Sequence, residues 1–427
     1  MISFNAFLIL FLIIYSATSF ADLVIERINI WYGKKNEGEI PNEFRDIIDR
    51  KELKRINEYT FDNTRFSIVH SIFSKALFLS ILLSGLLPWL VQALSETHFI
   101  LAGLIFFALP GILSSLLGLP FDYYHAFIIE ERYGFNTQTI KIWLSDLLKS
   151  TILVALFGTI LLSALLSMIR YFGQTWWIWA WAFFLGFQTI MLVLYPTVIA
   201  PLFNKFTLIE DPDLAGKIED LAKKEGLSIK GIYRMDASKR SRHTNAYLTG
   251  LGRAKRIVLF DSLIESHEID EILAVLAHEI AHLKRGHIKK QMALMAVFSL
   301  LLFFLASKLM LWEVIYESFG FSTMPPYAGL FLVGALWEPI GFLIAPLGHA
   351  VSRYFEKQAD LDSLRTVGTR GPLLGAFKKM AKDNLANLRP HPLYVFFNYS
   401  HPTLLSRIRY IQSDRGLREG GTILEHS

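Results

Sequence analysis

The stretch LAVLAHEIAHLKRGH, residues 273–287, places two histidines and a glutamate inside a run of small apolar residues. Ionisable side chains are rare in such surroundings unless they are paired or bind an ion. In a helix, His278 and His282 lie one turn apart on the same face, because side chains four residues apart are neighbours. Both imidazoles can then reach one tetrahedral Zn²⁺ at about 2.0–2.1 Å, with Glu279 beside them as a base for an attacking water.

The neighbours of this motif favour a metal site over a chance match. H-E-x-x-H also arises by composition alone, and a histidine near a helix end is often only a partner of the helix dipole. Here Ala274, Ala277 and Ala281 keep the flank of the helix slim enough for close packing. A solvated helix face would seldom place a charged group among such neighbours. The sequence therefore predicts a zinc-dependent hydrolytic site on this helix.

The composition of the chain is typical of a membrane protein. Hydrophobic residues make up 52% of its 427 residues and charged residues only 19%, which is too apolar for a soluble enzyme of this length. There is no cysteine, so any metal must be bound by His, Asp or Glu. The net charge of +5 fits basic cytoplasmic loops that face anionic headgroups. We therefore expect membrane lipid as a partner, and no nucleic acid.

Seven stretches are apolar enough to span a bilayer, which needs about 20 apolar residues in a helix. They cover approximately residues 4–20, 68–94, 99–119, 151–168, 176–199, 293–312 and 327–347. We predict a multi-pass α-helical membrane protein in which about seven transmembrane helices enclose a chamber. We expect a membrane domain with five spans at residues 1–204, followed by a catalytic segment with the histidine motif at 205–290. Two further spans follow at 291–349, and a C-terminal part of the catalytic domain occupies 350–427.

The first apolar stretch has two interpretations. It could be a secretory signal cleaved after Ala21, because its apolar core is short and small residues occupy plausible cleavage positions. The following segment, 22–67, carries nine Lys and Arg residues, and basic loops stay on the cytoplasmic side. A retained span with its N-terminus outside places this segment and each later basic loop in the cytoplasm. We therefore expect seven spans with the C-terminus inside, and a cleaved signal remains the alternative.

The segment between the fifth and sixth spans shows the pattern of a small α+β unit. DPDLAGKIEDLAKKEG predicts a helix with acidic residues early and lysines late, as a helix dipole prefers. KGIYRMD, HTNAYLTG and KRIVLFD are short and rich in strand-forming residues, so they predict three strands. Asp261 then follows as the expected N-cap of the helix that contains His278. That helix could continue into the sixth span.

A zinc hydrolase needs a third protein ligand and one open coordination position. His287 is the nearest candidate, but H-E-x-x-H-x-x-G-x-x-H would require the third histidine at position 288, which is Ile288. Glu356 in SRYFEKQAD is a better candidate, because two antiparallel spans return the chain to the same side of the membrane. Asp360 follows one helical turn later, where it could accept the N–H of a ligand histidine and fix its tautomer. His287 remains the next candidate after Glu356.

At this point the sequence resembles the integral-membrane CaaX prenyl proteases of the zinc metallopeptidase type. The resemblance covers nearly the whole chain and depends on YTFDNTRF, ERYGFNTQT, PLFNKFTLI, TNAYLTGLG, LAHEIAHLKRGH, SRYFEKQAD and YSHPTLLSRI in this order. It implies a thermolysin-like zinc metallopeptidase domain of α+β type on the cytoplasmic side and a membrane-enclosed chamber that opens to the metal. It also implies one Zn²⁺ per chain bound by His278, His282 and Glu356, with Glu279 as the catalytic base.

Further roles are expected around this centre. The resemblance implies that Asn245 and Ala246 lie on an edge strand that pairs with the substrate backbone, a general mode of peptide recognition. It implies that His401 stabilises the oxyanion, because a zinc site needs a donor opposite the metal. Arg353 and Arg407 are candidates for orienting an acidic residue of SRYFEKQAD or a substrate carboxylate, because a guanidinium binds carboxylates in a bidentate fork. The sequence does not distinguish the two arginines.

The expected function is that of a membrane-embedded zinc metalloendopeptidase. The resemblance implies hydrolysis of the C-terminal aaX tripeptide from prenylated CaaX proteins, so the expected partner is a peptide or a lipidated protein C-terminus. The first alternative is a quality-control protease that degrades membrane proteins with the same chemistry. The second is a seven-span receptor or transporter with a vestigial metal site. The active site is expected to face the cytoplasm, in either the bacterial inner membrane or the endoplasmic reticulum.

Overall fold

The structure is a computed structural model that describes residues 2–250 and 255–414, and helices dominate it. The elements in chain order are α1 (Ala6–Lys35), α2 (Arg50–Leu83), α3 (Leu86–Ala93), α4 (Phe99–Tyr124), α5 (Ile140–Tyr171), α6 (Trp176–Leu194), α7 (Ala200–Phe203), β1 (Phe206–Leu208), α8 (Pro212–Lys224), β2 (Gly231–Met235), β3 (Ala246–Thr249), β4 (Arg256–Phe260), α9 (Asp261–Ser266), α10 (Ile269–Lys284), α11 (His287–Leu309), α12 (Glu313–Ser318), α13 (Pro326–Val367), α14 (Gly371–Asp383), α15 (Pro392–Asn398) and α16 (Leu404–Ser413). Two π-helical turns, His125–Glu130 and Tyr195–Ile199, extend α4 and α6.

Within the described residues, seven helical stretches are long and apolar enough to cross a bilayer, so the predicted number of spans is confirmed. They include α1, α2, α5, α11, α13 and the extended forms of α4 and α6. Most run beyond the predicted limits, and α13 continues to Val367. The reason is that hydropathy marks only the segment in lipid, whereas polar turns can prolong the same helix into water.

The predicted second span, 68–94, is interrupted. Helix α2 ends at Leu83, and Gly85 adopts a left-handed conformation with φ of 81° before α3 begins. Glycine accepts this conformation because it has no Cβ. The residues that follow form the separate helix α3, whose Leu87 and Leu90 pack into the core of the bundle.

The membrane helices share one buried core and expose apolar side chains outward. Leu8 of α1, Phe106 of α4, Tyr316 of α12 and Leu332 of α13 are buried together in this core. Large apolar residues outside this core, such as Val297, are exposed. A bilayer solvates such side chains, and helices satisfy every backbone hydrogen bond internally. The chain is an integral multi-pass membrane protein.

A cavity of about 1180 Å³ lies between α2, α4, α5, α6 and α11. Its wall is mostly apolar, with Leu116, Val154 and Phe303 among the lining residues, and His70 and Asp122 are polar members of the lining. Among the described residues that form this wall, none belongs to the metal centre described below. The expected chamber within the membrane is therefore present as a cavity, but its wall does not extend to the metal donors.

The α+β part contains a four-stranded sheet with the order β1-β2-β4-β3. β2 and β4 are parallel, and the other two pairs are antiparallel. The three predicted strands are confirmed, whereas β1 was not predicted, because three residues in PLFNKFTLI are too short for a recognisable alternation. Strand β3 lies at one edge of the sheet and pairs only with β4 among the described strands.

Two buried clusters hold the catalytic part together. The first packs the sheet against α8 and α10 through residues such as Ile218, Ile257 and Leu276. The second joins α14 and α16, through Phe377 and Ile408, to the polar segments at the membrane ends; its members from those segments include Phe44, Ile48, Leu53, Ile56, Ile129 and Phe135. Segments that follow the first, third and seventh spans therefore share one core.

The predicted start of the motif helix is wrong. Asp261 begins the short helix α9, where its carboxylate accepts hydrogen bonds from Ser238. The motif helix α10 instead begins after Glu268, which forms a reciprocal capping box with Glu271. The helix also does not continue into the sixth span, because Gly286 adopts a left-handed conformation with φ of 64° between α10 and α11.

Candidate metal centre

Helix α10 carries both histidines of the motif and packs along the C-terminal half of α13. Ala274, Ala277 and Ala281 of α10 are buried, so the helices approach closely. Ser363 of α13 donates a hydrogen bond to the carbonyl oxygen of Ala274 at 2.8 Å. This packing brings Glu356 opposite the motif.

Donor atoms of three residues converge between the two helices. The Nε2 atoms of His278 and His282 lie 3.1 Å apart. Glu356 Oε2 lies 3.3 Å from His278 Nε2, and Glu356 Oε1 lies 3.2 Å from His282 Nε2. These three residues form a group whose donor atoms could hold a metal ion. The structure therefore brings together the three metal ligands predicted from the sequence.

The spacing and chemistry of these donors fit a zinc ion. Tetrahedral coordination with bonds of about 2.0–2.1 Å requires donor atoms about 3.3 Å apart, close to the observed separations. His278 Nδ1 lies 2.8 Å from Asp360 Oδ1 and donates to it, so His278 Nε2 presents a lone pair to the centre. Glu356 Oε2 is buried and accepts no hydrogen bond from any described residue. Lone pairs that face each other in a buried position are stabilised by a metal ion or a proton between them.

The electrostatic field at this position also favours positive charge. Burial by itself lowers the pKa of His278, but the carboxylates of Asp360 and Glu356 outweigh burial and raise the pKa of His278 to about 9. The same carboxylates would stabilise a divalent cation at the centre.

Asp360 is fully buried and accepts hydrogen bonds from three side chains. His278 donates through Nδ1, Tyr410 through its hydroxyl, and Arg407 through Nε at 2.8 Å and Nη2. The guanidinium of Arg407 also lies over the ring of Phe377, with 4.0 Å to the centroid. Arg407 is thus the arginine that orients Asp360. Tyr410 and Phe377 were missed, although the spacing of Tyr410 three residues after Arg407 on α16 offered a weak signal.

Arg353 contacts backbone carbonyl oxygens rather than the acidic residues that the sequence suggested as its partners. Its guanidinium donates to the carbonyl oxygens of Val395, at 3.3 Å, and Tyr399, at 2.6 Å. It makes no ion pair with Asp360 or Glu356 within the described part of the chain. Arg353 therefore holds the backbone just before His401, rather than a carboxylate of α13.

Glu279 lies three residues before His282 on α10, and His401 lies beside Glu356. Glu279 is half-buried, and its carboxylate has no hydrogen-bond or ion-pair partner among residues 2–250 and 255–414. His401 Nε2 lies 3.4 Å from Glu356 Oε1, while its Nδ1 is 3.0 Å from the hydroxyl of Ser400. The His401 side chain is 63% exposed, so its ring can reach a molecule bound at the centre.

His287 lies behind His282 rather than among the donors. Its Nδ1 is 3.0 Å from His282 Nδ1, and its Nε2 is 3.0 Å from Gln358 Oε1. His287 is not part of the group formed by His278, His282 and Glu356. The contact with Gln358 had no signal in the sequence.

Asn245 and Ala246 lie at the open edge of the sheet, as the resemblance implied. Ala246 begins β3, which packs against α10, and Asn245 accepts a hydrogen bond from the backbone N–H of Phe260 in β4. The backbone groups of β3 that face away from β4 are available for another strand. This edge runs beside the helix that carries the metal donors.

The segment before β3 is fixed to the membrane domain. His243 Nε2 lies 3.3 Å from Glu130 Oε2, and its ring stacks on Phe135 at 4.1 Å. Asn384 Oδ1 accepts from the backbone N–H of Thr244 and lies 3.1 Å from His243 Nδ1. The loop motif ERYGFNTQT thus supports the position of the edge strand.

Known proteins resemble this chain over almost its entire length. Residues 31–205 match the family model described as CAAX prenyl protease N-terminal, five membrane helices, and residues 209–415 match Peptidase family M48. The chain is 34% identical to a CAAX prenyl protease 1 homolog of Arabidopsis thaliana, over 88% of this chain and 91% of the relative. It is 32% identical to CAAX prenyl protease 1 of Saccharomyces cerevisiae, over 88% and 89%.

A solved structure shares the fold. The crystal structure of S. mikatae Ste24p superposes with a TM-score of 0.87 and 31% sequence identity, and the match covers 94% of this chain and 99% of that one. A helical membrane domain joined to an α+β domain with two histidines and a glutamate as metal donors defines an integral-membrane metalloprotease. The chain belongs to the CAAX prenyl protease family, with a catalytic part of peptidase family M48. The family expected from the motifs is therefore confirmed, and the receptor or transporter alternative has no support.

Proposed function

We propose that the protein is a zinc metalloendopeptidase that removes the aaX tripeptide from prenylated CaaX proteins. The proposal is carried by one observation: the donor groups of His278, His282 and Glu356 converge, and Glu279 of the same motif has no partner for its carboxylate among the described residues. The curated relatives carry the name CAAX prenyl protease, which supplies the substrate class. A lipidated protein C-terminus suits an enzyme whose metal donors lie on helices α10 and α13, the second of which continues into the membrane.

Zinc is the metal that the donors favour. Two histidines and one glutamate are the protein ligands of thermolysin, and they leave one of four positions open. We assign one Zn²⁺ per chain to His278, His282 and Glu356. When bound, the ion supplies Lewis-acid polarisation of the scissile carbonyl and makes water a better nucleophile.

Glu279 acts as the general base in the proposed reaction. Glu279 lies three residues before His282 on α10, so the two side chains are neighbours on the helix surface, and no described side chain competes for its carboxylate. It takes a proton from the attacking water and later delivers that proton to the leaving amine. The open edge of β3 at Asn245 and Ala246 holds the substrate backbone as an added strand.

His401 and Arg407 support this chemistry in different ways. His401 donates a hydrogen bond from Nε2 to the oxyanion that forms during attack, a role supported by its position 3.4 Å from Glu356 Oε1. Arg407 and Asp360 act behind the site, where they fix the orientation and tautomer of His278. Arg353 positions the segment that leads to His401.

The lipid of the substrate explains why this protease is a membrane protein. A prenyl chain gains about 0.8 kcal/mol for each buried CH₂ group, so a prenylated C-terminus concentrates in the bilayer. The helices of the enzyme meet such a substrate there, and the peptide can reach the catalytic part at the membrane surface.

We place the metal centre on the cytoplasmic side, in the endoplasmic reticulum or a bacterial inner membrane. Ser318, in α12, donates to Asn5 Oδ1 at the start of α1, whereas Asn29, near the other end of α1, accepts from the backbone of His391 in the catalytic part. The N-terminus and α12 thus share the face opposite the catalytic part. The basic loops favour the cytoplasm for the catalytic face. We also propose the division into 1–204, 205–290, 291–349 and 350–427, in which membrane and catalytic parts alternate along the chain.

The test compares a prenylated CaaX peptide with the matched unprenylated peptide. Purified protein in lipid nanodiscs is incubated with each, and the released tripeptide is measured by mass spectrometry. Release from the prenylated peptide alone is expected, and Glu279→Gln protein serves as the inactive control. Equal cleavage of both peptides would instead favour the quality-control protease, and no cleavage by the zinc-loaded protein would contradict both readings.

A further inference from the structure

His287 is a buried histidine that the proposed chemistry does not use. It is 1% exposed and lies at the first position of α11, immediately after the left-handed residue Gly286. Its ring stacks on Phe355, with centroids 4.3 Å apart and planes 8° from parallel. Both of its ring nitrogens have polar partners, His282 on one side and Gln358 on the other. A packed ring with two such contacts has a fixed orientation.

The protons in this chain of contacts can be assigned. The two Nδ1 atoms of His282 and His287 lie 3.0 Å apart, so one of them donates and the other accepts. Gln358 Oε1, 3.0 Å from His287 Nε2, can only accept, so His287 carries its proton on Nε2. A neutral His287 of this tautomer accepts at Nδ1. His282 therefore donates from Nδ1 and keeps the lone pair of Nε2 for the metal.

The reversed orientation of the Gln358 amide is incompatible with His282 as a metal ligand. If the Gln358 NH₂ group faced His287, His287 would be protonated on Nδ1 and would donate to His282. His282 would then carry its proton on Nε2, where no metal could bind. A metal ion at Nε2 of His282 is therefore compatible only with the amide orientation in which Gln358 Oε1 faces His287.

We propose that His287 and Gln358 are positioning residues that fix the tautomer of His282 through a neutral relay. This inference rests on the proposed zinc site. Glu356 and Gln358 lie two residues apart on α13, so one helix supplies both the third ligand and the end of the relay. The relay thereby ties the orientation of His282 to the same helix that positions Glu356.

The two ligand histidines consequently have different supports. His278 is backed by the carboxylate of Asp360, whereas His282 is backed by a neutral imidazole. A carboxylate partner makes a ligand histidine more basic. A neutral partner behind His282 preserves its orientation without adding negative charge, so the bound zinc remains more electrophilic than it would be with two carboxylate-backed histidines.

The test measures zinc release from the detergent-solubilised full chain to an excess of chelator. His287→Phe keeps an aromatic ring against Phe355 but removes both nitrogens, and we expect zinc affinity to fall about 10- to 100-fold. Gln358→Leu keeps the volume but not the acceptor, and it should weaken binding in the same direction. His287→Gln supplies an amide oxygen for His282 Nδ1–H, so it should retain more affinity than His287→Phe. Lys289→Ala, an exposed change on the same helix, is the matched control.

The outcomes separate this inference from the proposed function. Wild-type protein that binds no zinc would contradict the zinc site itself. Wild-type protein that binds zinc and cleaves peptide, together with unchanged zinc release in His287→Phe and Gln358→Leu, would overturn the relay alone. If His287→Phe fails to give a folded protein, Gln358→Leu decides the result, because its side chain is only partly buried.

Discussion

The Nδ1 atom of His278 lies 2.8 Å from Oδ1 of Asp360, so a hydrogen bond joins α10 and α13 directly behind the metal donors. Asp360 is fully buried, and Arg407 balances its charge with a bidentate contact. The rigidity of the metal site therefore depends on a carboxylate that does not touch the metal. Residues of this kind are nearly as important for metal affinity as the ligands themselves.

Replacement of Asp360 should weaken zinc binding without removing a ligand. In Asp360→Ala, His278 loses the acceptor for Nδ1–H, and we expect zinc affinity to fall about 10- to 100-fold. Asp362→Ala is the matched control, because it removes a carboxylate that pairs with Arg285 away from the donors. Competition with a chelator measures both variants. Equal affinities for the two variants would show that Asp360 has no role in metal binding.

Glu279→Gln should separate metal binding from catalysis. Glu279 is not a metal donor, so zinc content should stay at one per chain, whereas turnover should fall by about 10²- to 10⁴-fold with the loss of the base. His278→Ala, His282→Ala and Glu356→Ala should lose the metal instead. Metal analysis and peptide cleavage are measured on the same preparations. Near-normal turnover in Glu279→Gln would require another base.

His401 should contribute to turnover rather than to metal or substrate binding. A donor to the oxyanion acts mainly in the transition state, so His401→Ala should lower kcat by about 10²- to 10³-fold and leave KM and zinc content nearly unchanged. Ser400→Ala removes the contact at Nδ1 but leaves Nε2, and its effect should be much smaller. A rise in KM with unchanged kcat in His401→Ala would indicate substrate binding instead.

The contact between His243 and Glu130 should make stability depend on pH. Burial by itself lowers the pKa of His243, but hydrogen bonds to Glu130 and Asn384 outweigh it, so the folded-state pKa lies above the usual value of about 6.5. The contribution of protonated His243 is fully present below about pH 6.5 and is lost as pH rises through the folded-state pKa. We therefore expect His243→Gln to destabilise the protein most at pH 6 and least at pH 9.

Thermal unfolding in detergent between these pH values measures this effect. In the background of Glu130→Gln, the difference between His243 and its glutamine variant should no longer increase toward acidic pH, because the partner carboxylate that favours protonated His243 is gone. A difference that grows at alkaline pH would contradict the assigned direction of the pKa shift.

Local rules predicted the three residues that the structure brings together as a possible metal site. The i, i+4 spacing places His278 and His282 on one face, and the parity of two spans returns Glu356 to the same side. Partners on other elements were not predictable, because Tyr410, Phe377 and Gln358 reach the site only through tertiary packing of α16, α14 and α13.

Element boundaries were the weaker part of the prediction. Gly286 after two basic residues is typical of a helix end, but the apolar run beyond it favoured a continuous helix. Asp261 resembles an N-cap in sequence, yet its carboxylate is occupied by Ser238, a contact that no local pattern reveals. The partner of the Asp261 carboxylate therefore depends on tertiary structure and not on the local sequence.

Sidedness tests the span count and the chemistry together. The chain has no cysteine, so single cysteines can be introduced and probed with an impermeant thiol reagent. Ser318 is unsuitable because its side chain is fully buried against Asn5, whereas Glu317 beside it is exposed. Ser95, between α3 and α4, and Ser413, at the end of α16, are exposed as well.

Cysteines at Ser95 and Glu317 should be labelled from the outside of intact cells or of vesicles of known orientation. A cysteine at Ser413 should be labelled only after permeabilisation, because α16 carries Arg407 and therefore lies on the same face as the metal donors. The basic loops favour the cytoplasm for that face, as proposed above. Labelling of Ser413→Cys from outside would contradict a cytoplasmic active site and with it the proposed CaaX substrate, since prenylated C-termini are presented to the enzyme on the cytoplasmic side.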